Sequence, residues 1–420
     1  MKYTLIDNVD ATKFDSFVYE SEKSHFSQTA EFGEIRSYAN WQPIRVAMLD
    51  ENENIVATAL LLKKNLISKY CYIYIPRGFI LDYHNNDLIK KFTNKLIEYC
   101  RSINAIYFKI DPDIKRHTLN IKGEIIEGEN NYALIEYLQK LGYKHRGYNN
   151  GFELEAPRFT FRLDLTDGYD QVYKRYHDTT RKILNRGNKY NLDLYVGDEN
   201  DIPAFYQVMK ETFSRKNISA YPEQYYLQFL NILHQKNMGD IYMCKVDTAK
   251  LKQTFQQQLS ELNDKITETE TKAESSIKIA NKLNDMKIQY EKMEKEYQQY
   301  KDLPDEIIPI SSIITAKFKD MVWTIHGGNN TEFIGLNANY LVYNEIIKDA
   351  CQQGYKKIDF FGCLGNPESF KGDSEYGIHT FKARLNGEYT EFIGEFDYPV
   401  SKILYYGYRL LIPVYHKLKK

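Results

Sequence analysis

Tyr72-Ile-Tyr-Ile-Pro-Arg-Gly-Phe-Ile-Leu-Asp82 reads as a β-strand running into a turn, and the helix and strand after it decide the fold. Apolar residues at Leu88, Phe92, Leu96, Ile97 and Cys100 fall on one face of a helix, and Ala105-Ile-Tyr-Phe-Lys-Ile-Asp111 makes a second strand. The same order returns near the other end of the chain. Val322-Trp-Thr-Ile-His-Gly-Gly328 is strand and turn, Leu341, Ile346, Ile347, Ala350 and Cys351 mark a helix, and Lys357-Ile-Asp-Phe-Phe-Gly362 is a strand. Helices set between strands imply α/β units, so this order predicts two of them. Between them, Arg158-Phe-Thr-Phe-Arg-Leu-Asp-Leu165 alternates in the manner of a half-exposed strand and opens the second unit.

Residues 251–303 interrupt this pattern. Apolar side chains recur at Leu251, Phe255, Leu259, Leu262 and Ile266, and again at Ile279, Leu283, Met286, Tyr290, Met293, Tyr297 and Tyr300. That is close to the alternating three-and-four spacing of a coiled-coil seam. The polar stretch Thr271 to Ser276 suits the tip of an antiparallel hairpin, and Pro304 stops the second helix. Arms of about 25 residues would project roughly 37 Å. Lysines and glutamates interleave along both arms, and no arginine occurs between 251 and 303. This mixture predicts a solvated brace or protein-contact surface rather than a grip on phosphates.

Composition narrows the function classes. With 56 basic and 57 acidic residues the net charge is −1, so no global field draws the chain to nucleic acid, and a polyanion must be held by local patches. The five cysteines, at 71, 100, 244, 351 and 363, form no C-x-x-C pair and no metal-ligand spacing, as expected of buried thiols in a reducing cytosol. Asp7, Asp10 and Asp15 occupy the place where a secretion signal needs apolar residues, and the longest apolar run, Ile55 to Leu62, is too short to cross a bilayer. A soluble cytoplasmic protein is expected.

The chain resembles the FemABX, or Fem/MurM-type, peptidyltransferases. The resemblance rests on Ser24-His-Phe-Ser-Gln-Thr-Ala-Glu-Phe-Gly-Glu-Ile-Arg36, Pro76-Arg-Gly-Phe-Ile-Leu-Asp82, Phe108-Lys-Ile-Asp-Pro-Asp113 and Leu141-Gly-Tyr-Lys-His-Arg-Gly147. It continues through Gly327-Gly-Asn-Asn330, Ile358-Asp-Phe-Phe-Gly362 and Tyr376-Gly-Ile-His-Thr-Phe-Lys-Ala-Arg384, in that order along nearly the whole chain. It implies an α/β (α+β) fold of two GNAT-like domains with an inserted helical hairpin. The expected division is 1–153 for the first domain, 154–247 with 305–396 for the second, 248–304 for the arm and 397–420 for a basic, aromatic tail. The implied activity moves glycine, serine or alanine from aminoacyl-tRNA to the stem-peptide lysine, or to the growing cross-bridge, of a peptidoglycan precursor. That acceptor is lipid-linked (lipid II) or a UDP-linked muramyl pentapeptide, and no cofactor or metal is implied. A homodimer or an assembly with another family member stays open.

The residues themselves allow the same chemistry. An aminoacyl ester is already activated, so the protein has to admit a neutral amine, stabilise an oxyanion and anchor polyanions. Asp111 ends a strand before Pro112 and could accept the proton of a lysine amine, whose ordinary pKa is about 10.4. It could equally cap a turn. Lys382, the lysine of the Phe-Lys pair that the family ties to catalysis, could answer the oxyanion; without the resemblance it reads as one lysine among many on a solvated strand face. Arg36 and Arg215 present the planar fork that suits diphosphate, and the family places basic residues at both positions, lysine being commoner at 36. Otherwise they are surface salt-bridge residues. The resemblance adds Arg77, Phe381 and Tyr376 to the precursor-binding set. The tail Ile403 to Lys420 either lies at an anionic membrane, the inner face of the plasma membrane, or packs its apolar face on the body.

Other functions remain open. An acetyl-coenzyme A-dependent GNAT acetyltransferase needs a Gln/Arg-x-x-Gly-x-Gly/Ala loop, and Gln139-Lys-Leu-Gly142 and Arg384-Leu-Asn-Gly387 both lack the last small residue. A synthetase of the seryl type shares such an arm, but no nucleotide-activation motif is present. A non-catalytic coiled-coil scaffold explains the arm alone.

Overall fold

The computed structural model describes residues 3–150, 155–216, 221–272, 276–370 and 374–418, with side chains left out at 215–216, 370, 374–375 and 412–418. Two sheets organise the described chain. The first runs Thr4–Ile6, Gln42–Leu49, Ile55–Asn65, Cys71–Ile75, Ala105–Ile110, Phe396–Pro399, Lys144–His145. The second runs Asp193–Gly197, Ile241–Asp247, Ile307–Phe318, Met321–Asn329, Lys357–Cys363, Phe159–Asp164, Glu388–Phe392, Lys115–Leu119, Ile125–Asn130. Each contains one parallel pair, Cys71–Ile75 with Ala105–Ile110 and Met321–Asn329 with Lys357–Cys363. A parallel pair needs a crossover, and the helices Asn86–Ser102 and Ala338–Gln352 supply them. These are the two units whose order is visible in the sequence. The first crossover helix starts where Asn85 accepts the Leu88 N–H at 3.0 Å, and it buries Leu88, Ile89, Phe92, Leu96, Ile97 and Cys100 against its sheet.

The sheets do not divide with the chain. Lys115–Leu119 and Ile125–Asn130, from the first half, extend the second sheet beside Glu388–Phe392, while Phe396–Pro399 crosses into the first sheet between Ala105–Ile110 and Lys144–His145. Buried charges sit at this exchange. Glu391 accepts from Arg158 Nη2 at 2.6 Å, Arg116 Nη1 at 2.9 Å and His117 Nε2 at 2.8 Å, and the Tyr148 ring lies between the guanidiniums of Arg116 and Arg158.

The arm consists of helices Thr248–Glu270 and Ile277–Tyr300, placed between strands Ile241–Asp247 and Ile307–Phe318. Its seam is the expected one. Leu251, Phe255, Leu259, Leu262 and Ile266 are buried, and Ile279, Leu283, Met286, Tyr290, Met293, Tyr297 and Tyr300 are the half-buried or buried positions facing them. The second helix ends at Tyr300, four residues before Pro304, and tip residues 273–275 lie outside the described set. The root of the arm belongs to the main core. Phe255 and Tyr300 pack together, and the Tyr300 ring stacks on Phe333 at 5.6 Å.

The C-terminal helix Lys402–Leu418 packs one face on the body of the protein. Tyr405 and Tyr408 pack on Tyr107, while Ile403, Tyr406, Leu410 and Leu411 are exposed. Among the described residues no helix is long and apolar enough to cross a membrane. All five cysteines are free, and only Cys351 is not fully buried.

Candidate active site

The site begins at a defect in strand Lys357–Cys363. Its pairing with Phe159–Asp164 slips between Asp359 and Gly362, and Phe361 takes φ +58°. A left-handed backbone at a bulky residue is costly and persists only where neighbours enforce it. Here Asp359 does so. Its Oδ1 accepts the Phe361 N–H at 2.7 Å and the Thr160 hydroxyl at 2.5 Å, and its Oδ2 accepts Arg162 Nε at 2.8 Å. The bulge turns two successive carbonyls toward Lys382 Nζ, which donates to Gly362 O at 2.7 Å and Phe361 O at 3.2 Å.

Lys382 is therefore not on a solvated strand face. It lies in the last turn of helix Ser374–Ala383 and is 7% exposed. A helix end favours a cation, and the two carbonyls fix where it sits. It lines a cavity of about 780 Å³ together with Phe381, Tyr340, Tyr343, Thr324, His326 and Asn329. The Phe381 ring meets Tyr340 and Tyr343 edge-on at 4.6 and 4.8 Å, so the lysine is set in an aromatic wall. Gly327 and Gly328 also line it, and a Cβ on Gly328 would sit 2.6 Å from Thr212 Oγ1 and 3.0 Å from Val208 O. Glycine at 328 lets helix Ile202–Lys216 lie against strand Met321–Asn329.

Arg36 lies on helix Ala30–Ser37, within electrostatic reach of the same cavity. Burial and then the Arg36 charge depress the pKa of His326 to about 4. Burial raises that of Glu155, another wall residue, against the charges of Lys109 and Arg36. The guanidinium of Arg36 donates Nη1 to the Tyr221 hydroxyl at 3.1 Å, and its Nε is buried with no partner among the described residues. Arg215 falls inside helix Ile202–Lys216, and its side chain lies outside the described set.

Asp111 follows strand Ala105–Ile110 as expected but is not on this wall. Its Oδ1 accepts the Arg77 N–H at 2.8 Å and its Oδ2 the Tyr74 hydroxyl at 3.2 Å. Burial lifts its pKa to about 7 against the pull of Arg77. Arg77, at φ +57°, donates to Pro157 O at 3.1 Å and lies over Phe392, one residue removed from the cavity that Pro157 lines. Tyr376 is half-buried and also off the wall, though it shares the helix of Lys382. The structure thus joins Lys382 and Phe381 directly, and Arg36 through its field.

A group whose folded pKa is raised stabilises the fold below its unfolded pKa and loses that contribution as pH climbs through the folded value. For Asp111 the window is about pH 4 to 7. Urea unfolding of Asp111→Asn should show a shallower fall in stability across this window than the wild type. Parallel profiles would mean that Asp111 is already ionised in the fold.

The residues that make the Lys382 setting, Asp359, Arg162 and Thr160, lie in stretches that carry the resemblance and the strand alternation, but neither singles them out as site residues. One signal in the sequence points to them: an aspartate inside the apolar strand Ile358-Asp-Phe-Phe needs a buried partner.

Comparison with known proteins places the chain. The FemAB family model matches residues 9–412. Aminoacyltransferase FemA of Staphylococcus aureus (strain MRSA252) is 25% identical over 421 residues, covering 98% of each chain, and that of strain MW2 aligns equally well. Among solved structures, FemX superposes with a TM-score of 0.72 at 23% identity, covering 96% of this chain and 99% of its own. A tandem GNAT protein from the clavulanic acid biosynthesis pathway gives 0.51 at 8% identity, covering 95% and 99%. These two likenesses show the fold.

Proposed function

Because the chain belongs to the FemAB family, we propose that it is an aminoacyltransferase, moving an amino acid from aminoacyl-tRNA to an amine of a peptidoglycan precursor. The observation that carries this is Lys382, an ammonium clamped by two carbonyls on the wall of a 780 Å³ cavity. The amine nitrogen attacks the ester carbonyl carbon, and negative charge gathers on the carbonyl oxygen. A pre-placed cation answers that charge without reorganising. When the tetrahedral intermediate collapses, the C–O bond to the ribose breaks, the ribose oxygen takes a proton, and the amine loses one. Asp111 is proposed as its acceptor. Tyr74 and the Arg77 N–H hold its carboxylate in place.

Arg36 and Arg215 are proposed to hold the precursor's diphosphate, Arg36 through the partnerless Nε. Arg77, Phe381 and Tyr376 complete the proposed binding set, and the proposed domains keep the chain boundaries expected from the resemblance while exchanging strands Lys115–Leu119, Ile125–Asn130 and Phe396–Pro399 between their sheets. The exposed stripe Ile403, Tyr406, Leu410 and Leu411 favours a lipid-linked acceptor met at the inner face of the membrane. No acidic residue occurs from 398 to 420.

Radiolabelled aminoacyl-tRNA supplied with precursor should give an alkali-stable labelled product, faster with the lipid-linked than with the UDP-linked form. Transfer seen only with acetyl-coenzyme A would refute the proposal. Arg36→Ala should raise the acceptor KM by about tenfold or more while saturated turnover falls far less, since a lost charge-assisted contact to phosphate weakens ground and transition states alike. An unchanged KM would detach Arg36 from the acceptor.

A further inference from the structure

We infer that the acceptor arm of the tRNA docks on a basic strip formed by helices Tyr169–Arg175 and Asp178–Gly187, with its unpaired 3′ end drawn to the cleft beside them. This rests on the proposed tRNA donor and says where on the molecule that donor is held.

Charge singles out the strip. Residues 174–189 carry six Lys or Arg against one acidic residue, Asp178, a net +5 in a chain whose total is −1. Residues 251–303 of the arm, the other elongated surface, sum to −1. Neutralising backbone phosphates needs cations gathered on one surface. Three of these cations are held in place: Arg175 by Asp167 at 2.7 Å, Arg181 by Asp178 and by the carbonyls of Lys174 and Tyr176 at 2.7 Å, and Arg186 by Glu296 of the arm and by the Tyr190 hydroxyl at 2.6 Å. Lys174, Lys182 and Lys189 are exposed and have no acidic partner among the described residues. Of the acids nearby, Asp164 and Asp167 precede the strip, Asp167 paired with Arg175, and Asp170 sits in the first turn of its first helix.

Aromatic groups accompany the charge. A cleft of about 410 Å³ is lined by Tyr169, Tyr173, Lys174, Leu184, Asn188 and Asn344, with Asp170 at its edge. Tyr169 and Tyr173 stand 6.0 Å apart and half-exposed. Tyrosine faces beside lysine are what single-stranded nucleotides stack on.

The strip also abuts the catalytic wall. Helix Ala338–Gln352 puts Asn344 into this cleft and Tyr340 and Tyr343 into the Lys382 cavity. The start of helix Asp178–Gly187 is tied to the chain two residues past Lys382, because the His177 N–H and the Thr180 hydroxyl both donate to Arg384 O at 3.0 Å.

The test is the triple variant Lys174→Ala, Lys182→Ala, Lys189→Ala in the full chain, with fluorescent deacylated tRNA titrated at several KCl concentrations and steady-state transfer measured in parallel. Loss of three phosphate contacts should flatten the salt slope by about 2–3. It should also weaken binding about tenfold or more, raise the KM for aminoacyl-tRNA, and leave the acceptor KM unchanged. The arginine triple variant should restore binding. Replacing residues 263–290 of the arm by a short Gly/Ser linker, which keeps Phe255, Tyr297 and Tyr300, should leave tRNA affinity intact. Wild-type slope and KM in the alanine variant, or loss of affinity on trimming the arm alone, would overturn the inference. If the wild-type protein transfers nothing from tRNA, the donor proposal itself falls and takes this one with it.

Discussion

Lys382→Met should cut turnover by about a hundredfold or more while the KM for the acceptor holds, the size of loss seen when one preorganised oxyanion donor is removed. The side chain is 7% exposed and reaches the cavity wall between two carbonyls, at 2.7 and 3.2 Å. Methionine has nearly the same length and suits the neighbouring Phe381, Tyr340 and Tyr343, so the wall keeps its shape and loses its charge. The two carbonyls lose a donor, which costs about 1–3 kcal/mol of stability. A melting curve therefore has to accompany the kinetics. Near-normal turnover in a folded Lys382→Met protein would remove this lysine from the chemistry and leave the cavity without its proposed oxyanion partner.

Glu391→Ala should destabilise the protein by about 3–5 kcal/mol, because it withdraws one carboxylate from three basic side chains in a buried place. Arg158 is the most enclosed of them, with no exposed side-chain surface, and Arg116 and His117 arrive from a strand contributed by the other half of the chain. Arg158 keeps its bond to Gly147 O and its seat against Tyr148 in the variant, which softens the loss without cancelling the charge. Glu391→Gln should fall between wild type and alanine. Urea denaturation reads both, and a loss below about 1 kcal/mol for alanine would show that the Tyr148 ring and Gly147 O suffice to hold the arginines.

Local periodicity made the arm and the two crossover helices legible. Their buried positions repeat at fixed intervals, so the seam from Leu251 to Ile266 and the inner face from Leu88 to Cys100 follow from spacing alone. Asp111 at the end of its strand follows from Pro112. The surroundings of Lys382 do not follow in this way. They depend on Phe361 adopting a backbone region that phenylalanine disfavours, enforced by a carboxylate that answers an arginine about 200 residues away. Nothing within a short window carries that information. The exchanged strands were illegible for the same reason, since Thr118 pairs with Thr390 and Phe108 with Tyr398. Charge density along 174–189, by contrast, stands in the sequence and acquires meaning only when the fold sets it beside Arg384.

The exchange has a consequence for birth at the ribosome. Strand Phe396–Pro399 sits between Ala105–Ile110 and Lys144–His145, so the first sheet emerges with a slot that stays empty until roughly 250 further residues have been made. At about 5–20 residues per second that is a wait on the order of 10–50 s. Two strand edges with unpaired amides stand open meanwhile, an invitation to mispairing. Neither half of the chain expressed alone can close its sheet, and the nascent protein depends for that interval on whatever shields bare edges in the cell.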